Sequence, residues 1–301
     1  MNRLRYAFIG LGNLGRHLAL NLCRKGFELW VHDLDRRAGS SLEDQGAHWS
    51  LNVPDAVAHA DALITCLPSP AASRAVMAQA LPALRSGTTW IEMSTNDFAD
   101  IQALAAQATE RGVEVLACPV TGGVHRAEAG DITVLVGGPR DCYERHLPAL
   151  SAMGGKIIHL GGIEQAAVTK VVTNMLAFIH LIAAGEALML CARAGVDLRT
   201  AYDAIKASSG NSFVHETESQ VILNGSYDIQ FTMDLACKDA GFALEFGRRL
   251  GVPLRMAGLM EQTFIEGRAR YGGQAWSSMI VKLLEDAVGT PLRADGFPAR
   301  L

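Results

Sequence analysis

An α/β protein is predicted, with a doubly wound parallel sheet in the first half of the chain and helices alone in the second. Three features lead to this. Short apolar runs alternate with amphipathic stretches up to about residue 160, as in strand–helix–strand units. After Gly161-Gly162 the strand-like runs stop. Between the halves lies Ile163 to Ala194, proline-free and mostly apolar, which reads as one long helix joining two domains. A chain of 301 residues is also long for one hydrophobic core, so the expected division is 1–162 and 163–301.

Taken in order, Tyr6-Ala7-Phe8-Ile9 is the first strand. It runs into Gly10-Leu11-Gly12-Asn13-Leu14-Gly15, a G-x-G-x-x-G loop, and then into Arg16 to Arg24, whose Leu18, Leu20 and Leu22 suit an amphipathic helix. Glu28 to His32 is the second strand, and Asp33 stands 21 residues beyond Gly12. Strand, glycine loop, helix, strand and acid in this order make a Rossmann-type dinucleotide-binding unit. One glycine permits the tight turn, one lets the backbone approach a pyrophosphate, and one lets helix and strand pack closely. The helix N-terminus offers N–H groups and partial positive charge to the phosphates.

Ala62 to Leu67, ending at Pro68, and Thr88 to Met93, ending at Ser94-Thr95, read as buried parallel strands. Val113 to Ala117, Ile132 to Val136 and Lys156 to Leu160 continue the sheet, with helices over Pro70 to Leu84 and Phe98 to Arg111. Helices are then expected at Asp197 to Ala207, Phe213 to Leu223, Leu235 to Leu250, Pro253 to Arg270 and Trp276 to Val288, with a loose tail from Gly289 to Leu301. The long helix, apolar all round, is expected to be buried between domains or in a subunit core. Its His180 and Glu186 argue against a membrane span.

Hydrophobic content of 49%, charged content of 19% and a net charge of −4 describe an ordinary globular protein. No basic block stands out, which argues against a nucleic-acid partner. The six cysteines, at 23, 66, 118, 142, 191 and 237, include no C-x-x-C pair. They fit a reducing, cytoplasmic setting better than disulfides or a metal site.

Several segments have the residues for chemistry. Pro119-Val120-Thr121-Gly122-Gly123 follows a strand; paired glycines with a hydroxyl form an anion site, or a plain turn. Lys170 and Asn174 lie four apart and share one face of the long helix. A lysine among Ala166, Ala167, Val168 and Val171 is costly unless paired or functional, and burial would lower its pKa into a useful range for proton transfer; the alternative is a snorkelling side chain. Lys238-Asp239 is a second pair, or a solvated helix face. Ser94-Thr95 faces ligand at a strand end, or caps the helix beginning near Asp97.

In this order these segments resemble the β-hydroxyacid dehydrogenase family, which includes 3-hydroxyisobutyrate dehydrogenase, tartronate semialdehyde reductase and glyoxylate/succinic semialdehyde reductases. The resemblance runs from the glycine loop through Cys66-Leu67-Pro68, Met93-Ser94-Thr95 and Pro119 to Gly123, then Gly161 to Asn174, to Lys238-Asp239. It implies an NAD(P)-dependent oxidoreductase that interconverts a small hydroxy acid and its semialdehyde. On this likeness Gly10, Leu11, Gly12, Asn13, Leu14, Gly15, Asp33, Leu67, Pro68, Thr95 and Lys238 bind the cofactor, with Asp33 favouring NAD over NADP and Arg36 and Arg37 softening that preference. Thr121, Gly122, Gly123, Phe231 and Asp239 bind substrate, Lys170 is the general acid/base and Asn174 orients substrate. The domains become an NAD(P)-binding domain (1–162) and a helical substrate and dimerisation domain (163–301), in a cytoplasmic homodimer or homotetramer with no metal, membrane or nucleic-acid partner.

Three departures from the family pattern bear on the substrate: Thr121 replaces a serine, Ala117-Cys118 replaces Asp-Ala, and His125-Arg126 follows the glycines. The His-Arg pair either meets a second polar or anionic end of the substrate or is solvated. The alternatives are an imine reductase on the same fold, which usually lacks the lysine, a 6-phosphogluconate dehydrogenase, which needs a longer helical portion, and a non-catalytic nicotinamide-binding protein.

Overall fold

The computed structural model describes residues 4–301. Among these, nine strands form two sheets. The larger has β1 (Tyr6–Ile9), β2 (Leu29–His32), β3 (His48–Trp49), β4 (Ala62–Thr65), β5 (Thr89–Glu92) and β6 (Glu114–Ala117), in the order β3-β2-β1-β4-β5-β6 and parallel throughout. Side chains alternate across it: Tyr6 and Phe8 join a cluster with Leu18, Leu22 and Val31, whereas Ala7 and Ile9 join one with Leu63, Val57 and Trp90. Burial on both faces explains the continuously apolar strands. The strand order reverses between β1 and β4, and in such sheets the crevice beyond the strand C-termini at that point receives the ligand.

The smaller sheet corrects the expectation of a single one. Ile132–Val136 (β8) and Gly154–His159 (β9) pair with each other and with Val120–Thr121 (β7), and β7 runs antiparallel to β8. A two-residue strand has no readable period, which is why β7 and β3 were invisible in the sequence. Helices of this part are α1 (Gly15–Arg24), α2 (Ser40–Glu43), α3 (Val53–Ala58), α4 (Pro70–Ala80), α5 (Phe98–Glu110), α6 (Val124–Ala129) and α7 (Arg140–Met153). The sequence reading missed α7, which carries Pro148 yet buries Cys142, His146, Ala149, Leu150 and Met153 at helical spacing.

The chain divides into two compact units, Met1–Lys170 and Val171–Leu301. Helix α8 (Ile163–Arg193) is unbroken over 31 residues and passes from one to the other. The second unit is otherwise built from α9 (Leu198–Lys206), α10 (Phe213–Asn224), α11 (Met233–Leu250), α12 (Arg255–Tyr271), a 3-10 turn over Ser277–Val281 and α13 (Lys282–Val288). Its core holds Phe178, Leu181, Leu188, Ile222, Met233 and Phe264.

Helix α8 leaves apolar residues exposed in one chain: Leu190 is 73% exposed, and Leu176 and Val172 are also exposed, as a helix of a subunit core would. By length and composition alone it is apolar enough to cross a membrane. The tail is not loose. Leu292 is fully buried, Phe297 packs edge-on against Tyr202, and Arg293 pairs with buried Glu285 at 3.0 Å while donating to the Tyr227 hydroxyl. Gly289 and Pro291 suggested looseness, but the apolar and charged residues beyond them find partners in the helical core.

Candidate active site

The turn from β1 into α1 gives each glycine of the first loop a separate reason. Gly10 has φ +99°, and a Cβ there would stand 2.3 Å from the Cys66 carbonyl oxygen, so both conformation and space require glycine. A Cβ on Gly15 would lie 2.0 Å from the Gly10 oxygen, the close packing of helix on strand. Gly12 is different: a Cβ would meet nothing within 4 Å, which leaves the backbone open on the side where a pyrophosphate approaches. Helix α1 has no side-chain cap and no acid in its first turn, so its positive end is not neutralised by a carboxylate.

Asp33 follows β2 and closes this loop. Its carboxylate accepts the Leu11 N–H at 2.6 Å and the Asp35 N–H at 2.9 Å. That fixes the acid beside the glycine turn. Arg36 pairs with Glu43 at 2.7 Å and lies over the Trp49 ring, and Arg37 pairs with Asp35 at 2.8 Å. Both arginines are thus partnered by carboxylates. This donor set fits a dinucleotide: backbone N–H groups for phosphate and a carboxylate for ribose hydroxyls.

At the C-terminal ends of β4 and β5 the polar residues interlock. The Ser94 hydroxyl accepts the Leu67 N–H at 2.7 Å, and the Ser94 N–H donates to Glu92 at 2.8 Å. Ser94 is therefore a strut holding Leu67-Pro68, and the cap of α5 is Asp97, which accepts the Asp100 N–H. Thr95 lines a small pocket together with Glu92, Ser94, Asn96, Pro119 and Lys170. Lys170, 8% exposed, is buried and lines this pocket. Glu92 and Asn96 were missed in the sequence reading. A carboxylate inside a strand that must be buried on both faces was the available signal.

Thr121 sits in β7 opposite Thr133, and Gly122 and Gly123 follow with φ +126° and +89°. The chain can turn there only with glycine, and the loop leads into α6. The His125 ring lies against Gly123 and the Arg126 stem against Gly122. Arg126 also reaches Asp131 at 4.0 Å. Burial, assisted by Arg126, lowers the His125 pKa.

The second unit gathers its own group. Asn174 donates to Asp239 at 2.6 Å, and Lys238 pairs with the other Asp239 oxygen at 2.8 Å. Asp239 is buried with an oxygen on each neighbour, and so supports Asn174 and Lys238. The Lys238 ammonium lies over the Phe242 ring, and Phe231 stacks obliquely on Phe178. Lys170 and Asn174 stand one turn apart on α8. Ser212 caps α10 and Asn211 donates to Glu216, which identifies Ser208 to Ser212 as an interhelical connection.

Residues 5–161 match the family described as the NAD binding domain of 6-phosphogluconate dehydrogenase. Residues 165–284 match that described as the NAD-binding of NADP-dependent 3-hydroxyisobutyrate dehydrogenase. The chain is 33% identical over 290 residues to a 2-(hydroxymethyl)glutarate dehydrogenase of Eubacterium barkeri, covering 95% of this chain and 96% of the relative. It resembles the solved structure of a Mycobacterium tuberculosis 3-hydroxyisobutyrate dehydrogenase with L-serine, with a TM-score of 0.83, 28% identity and coverage of 94% of this chain and 99% of the other. An imine reductase from a Pseudomonas species is more distant, at 19% identity and a TM-score of 0.65 over 94% of this chain and all of its own, and shares the fold alone.

Proposed function

The chain belongs to the β-hydroxyacid dehydrogenase family, and from that premise we propose that it interconverts a small 3-hydroxy acid, or a related hydroxy acid, and its semialdehyde, with Lys170 as general acid/base. It is an NAD(P)-dependent hydroxyacid dehydrogenase. The observation that carries the proposal for Lys170 is its burial in the lining of the pocket that Thr95 and Ser94 also line, with the Ser94 hydroxyl accepting the Leu67 N–H. As a neutral amine Lys170 can accept the alcohol proton during oxidation and return it during reduction.

When bound, the nicotinamide cofactor supplies the hydride acceptor or donor. Gly12 and the first turn of α1 hold its pyrophosphate, Asp33 its ribose, and Leu67, Pro68, Thr95 and Lys238 the remainder. Two features support NAD over NADP: the Asp33 charge beside the glycine turn, and the engagement of Arg36 and Arg37 by Glu43 and Asp35. The Thr121 hydroxyl and the backbone N–H groups of Gly122 and Gly123 bind the substrate carboxylate. Asn174, its amide fixed by Asp239, orients the reacting group, and Phe231 supplies an apolar wall. His125 and Arg126 meet the far end of the substrate, a reading supported by their packing against these glycines.

We assign residues 1–162 to cofactor binding and 163–301 to substrate binding and dimerisation. The exposed apolar residues of α8 support a homodimer or homotetramer. With His180 and Glu186 in α8 and scattered thiols, a cytoplasmic protein without membrane or nucleic-acid partners is the favoured setting. Purified protein should oxidise or reduce members of a panel of short hydroxy acids and semialdehydes, followed by nicotinamide absorbance. Lys170→Ala should keep cofactor binding while losing about 10²–10⁴-fold in turnover; wild-type turnover in that variant removes Lys170 from the mechanism. Arg126→Ala should raise KM for dicarboxylic more than for monocarboxylic semialdehydes. Equal KM changes, or none, exclude Arg126 from recognition.

A further inference from the structure

Two buried polar side chains that line the pocket with Lys170 carry atoms without a hydrogen bond among the described residues. Glu92 is 1% exposed; one oxygen accepts the Ser94 N–H, and Oε2 has no hydrogen bond among the described residues. Asn96 is 4% exposed, and neither its Oδ1 nor its Nδ2 has one. Both line the pocket that Lys170 lines. Orphaned buried groups of this kind are normally satisfied by an ordered water or a ligand. The pocket has room for about one water molecule, and Glu92, Asn96 and Lys170 are among the residues that line it.

We propose that Glu92 is a positioning residue for proton transfer: as a neutral carboxylic acid it holds, with the Asn96 amide, an ordered water against the Lys170 amine. The inference rests on the reading of Lys170 as acid/base. The water accepts a hydrogen bond from the Glu92 O–H and another from Lys170, and donates to Asn96 Oδ1. Lys170 donates to this water both as amine and as ammonium, so its lone pair is left for the substrate and no proton is lost to the water.

Neutrality is essential to the arrangement. An ionised carboxylate here would pair with the ammonium and hold the lysine protonated. Burial raises the Glu92 pKa, opposed by the hydroxyl and N–H of Ser94 and the hydroxyls of Ser73 and Thr65. Lys170 lines the same pocket, and the titratable groups that act on Glu92 are the Cys66 thiol after β4, pushed up to about 12 by burial, and the Cys118 thiol after β6, also raised by burial. Both thiols are neutral and add no charge.

The test is the pH profile of kcat/KM for alcohol oxidation in Glu92→Leu, Glu92→Gln and Asn96→Leu, with Lys170→Ala in parallel. Glu92→Leu and Asn96→Leu should each lose about 10- to 100-fold in kcat with cofactor affinity unchanged. Glu92→Gln, whose amide donates where the acid O–H did, should recover most of that loss and leave the acid limb in place. A limb moved down by about one pH unit or more in Glu92→Gln would show an ionised carboxylate and overturn the proposal. Wild-type kcat in both Glu92→Leu and Asn96→Leu would overturn it as well, and Asn96→Leu decides if Glu92→Leu fails to fold. An inactive Lys170→Ala beside unaffected Glu92 and Asn96 variants refutes this inference alone, whereas an active Lys170→Ala refutes the function on which it rests.

Discussion

Replacing Gly12 and Gly15 by alanine, one at a time, should separate ligand space from packing space in the first loop. The Gly15 Cβ would stand 2.0 Å from the Gly10 carbonyl oxygen, where ordinary contact needs about 3.5 Å. Helix α1 would have to retreat by roughly 1.5 Å from a backbone atom that cannot rotate away. Overpacking of this kind costs about 1–3 kcal/mol. For a unit of this size each kcal/mol is worth about 2–4 °C, so the Gly15→Ala Tm should fall by about 2–12 °C. The Gly12 Cβ meets nothing within 4 Å, and the loss of unfolded-state freedom favours alanine slightly. Its Tm should therefore hold or rise. The new methyl would nevertheless occupy the approach to the backbone, and about 1.4 kcal/mol of lost binding is a tenfold rise in the NADH Kd. Thermal melts and fluorescence titration with NADH read the two effects separately. Wild-type NADH affinity in Gly12→Ala, or a wild-type Tm in Gly15→Ala, would refute the division of labour among these glycines.

Further outcomes follow from other parts of the molecule. Burial, reinforced by Arg145, holds His146 down at about 4, beside the Tyr6 hydroxyl at 3.0 Å. A histidine depressed from about 6.5 stabilises the fold above that value and withdraws the benefit as pH falls toward 4. Urea melts should lose about 3 kcal/mol across that window, and His146→Gln should flatten the slope. Arg293→Met leaves the Glu285 carboxylate buried without its cation and should destabilise the protein by about 3 kcal/mol in the same assay; an unchanged midpoint would mean the tail docks through its apolar residues alone. Asp33→Asn should reduce the preference for NAD over NADP by about tenfold, measured as the ratio of kcat/KM values with the two cofactors.

The sequence made the dinucleotide unit legible because every part of it is local. Loop, helix, strand and Asp33 lie within the first 33 residues, and the Asp33 contact to Leu11 N–H closes the same unit. Helices α8 to α12 were legible from their apolar stretches, whereas the caps Ser212 and Thr232 emerge only in the structure. What escaped was non-local. Strand β7 exists only because Val120 and Thr121 find Val134 and Thr133 across the chain. The tail is ordered only because Arg293 meets Glu285 and Tyr227. Lys170 stood out as a charge in an apolar helix, whereas Glu92 and Asn96 acquire meaning only once β5 and α8 bring them to the same pocket. The contacts of Asp239 with Asn174 and Lys238 likewise could not be read from spacing.

Six helices begin on an Asp, Asn, Ser or Thr whose side chain accepts a leading N–H, while α1 begins on Leu14 and has none. A phosphate group is chemically the missing cap. Dinucleotide binding should therefore behave as part of the folding reaction of the first unit, its melting temperature climbing with the logarithm of NAD concentration. At about one hundred times Kd the gain is about 2.7 kcal/mol, so the heat tolerance of the first unit is set by its ligand as much as by its own contacts.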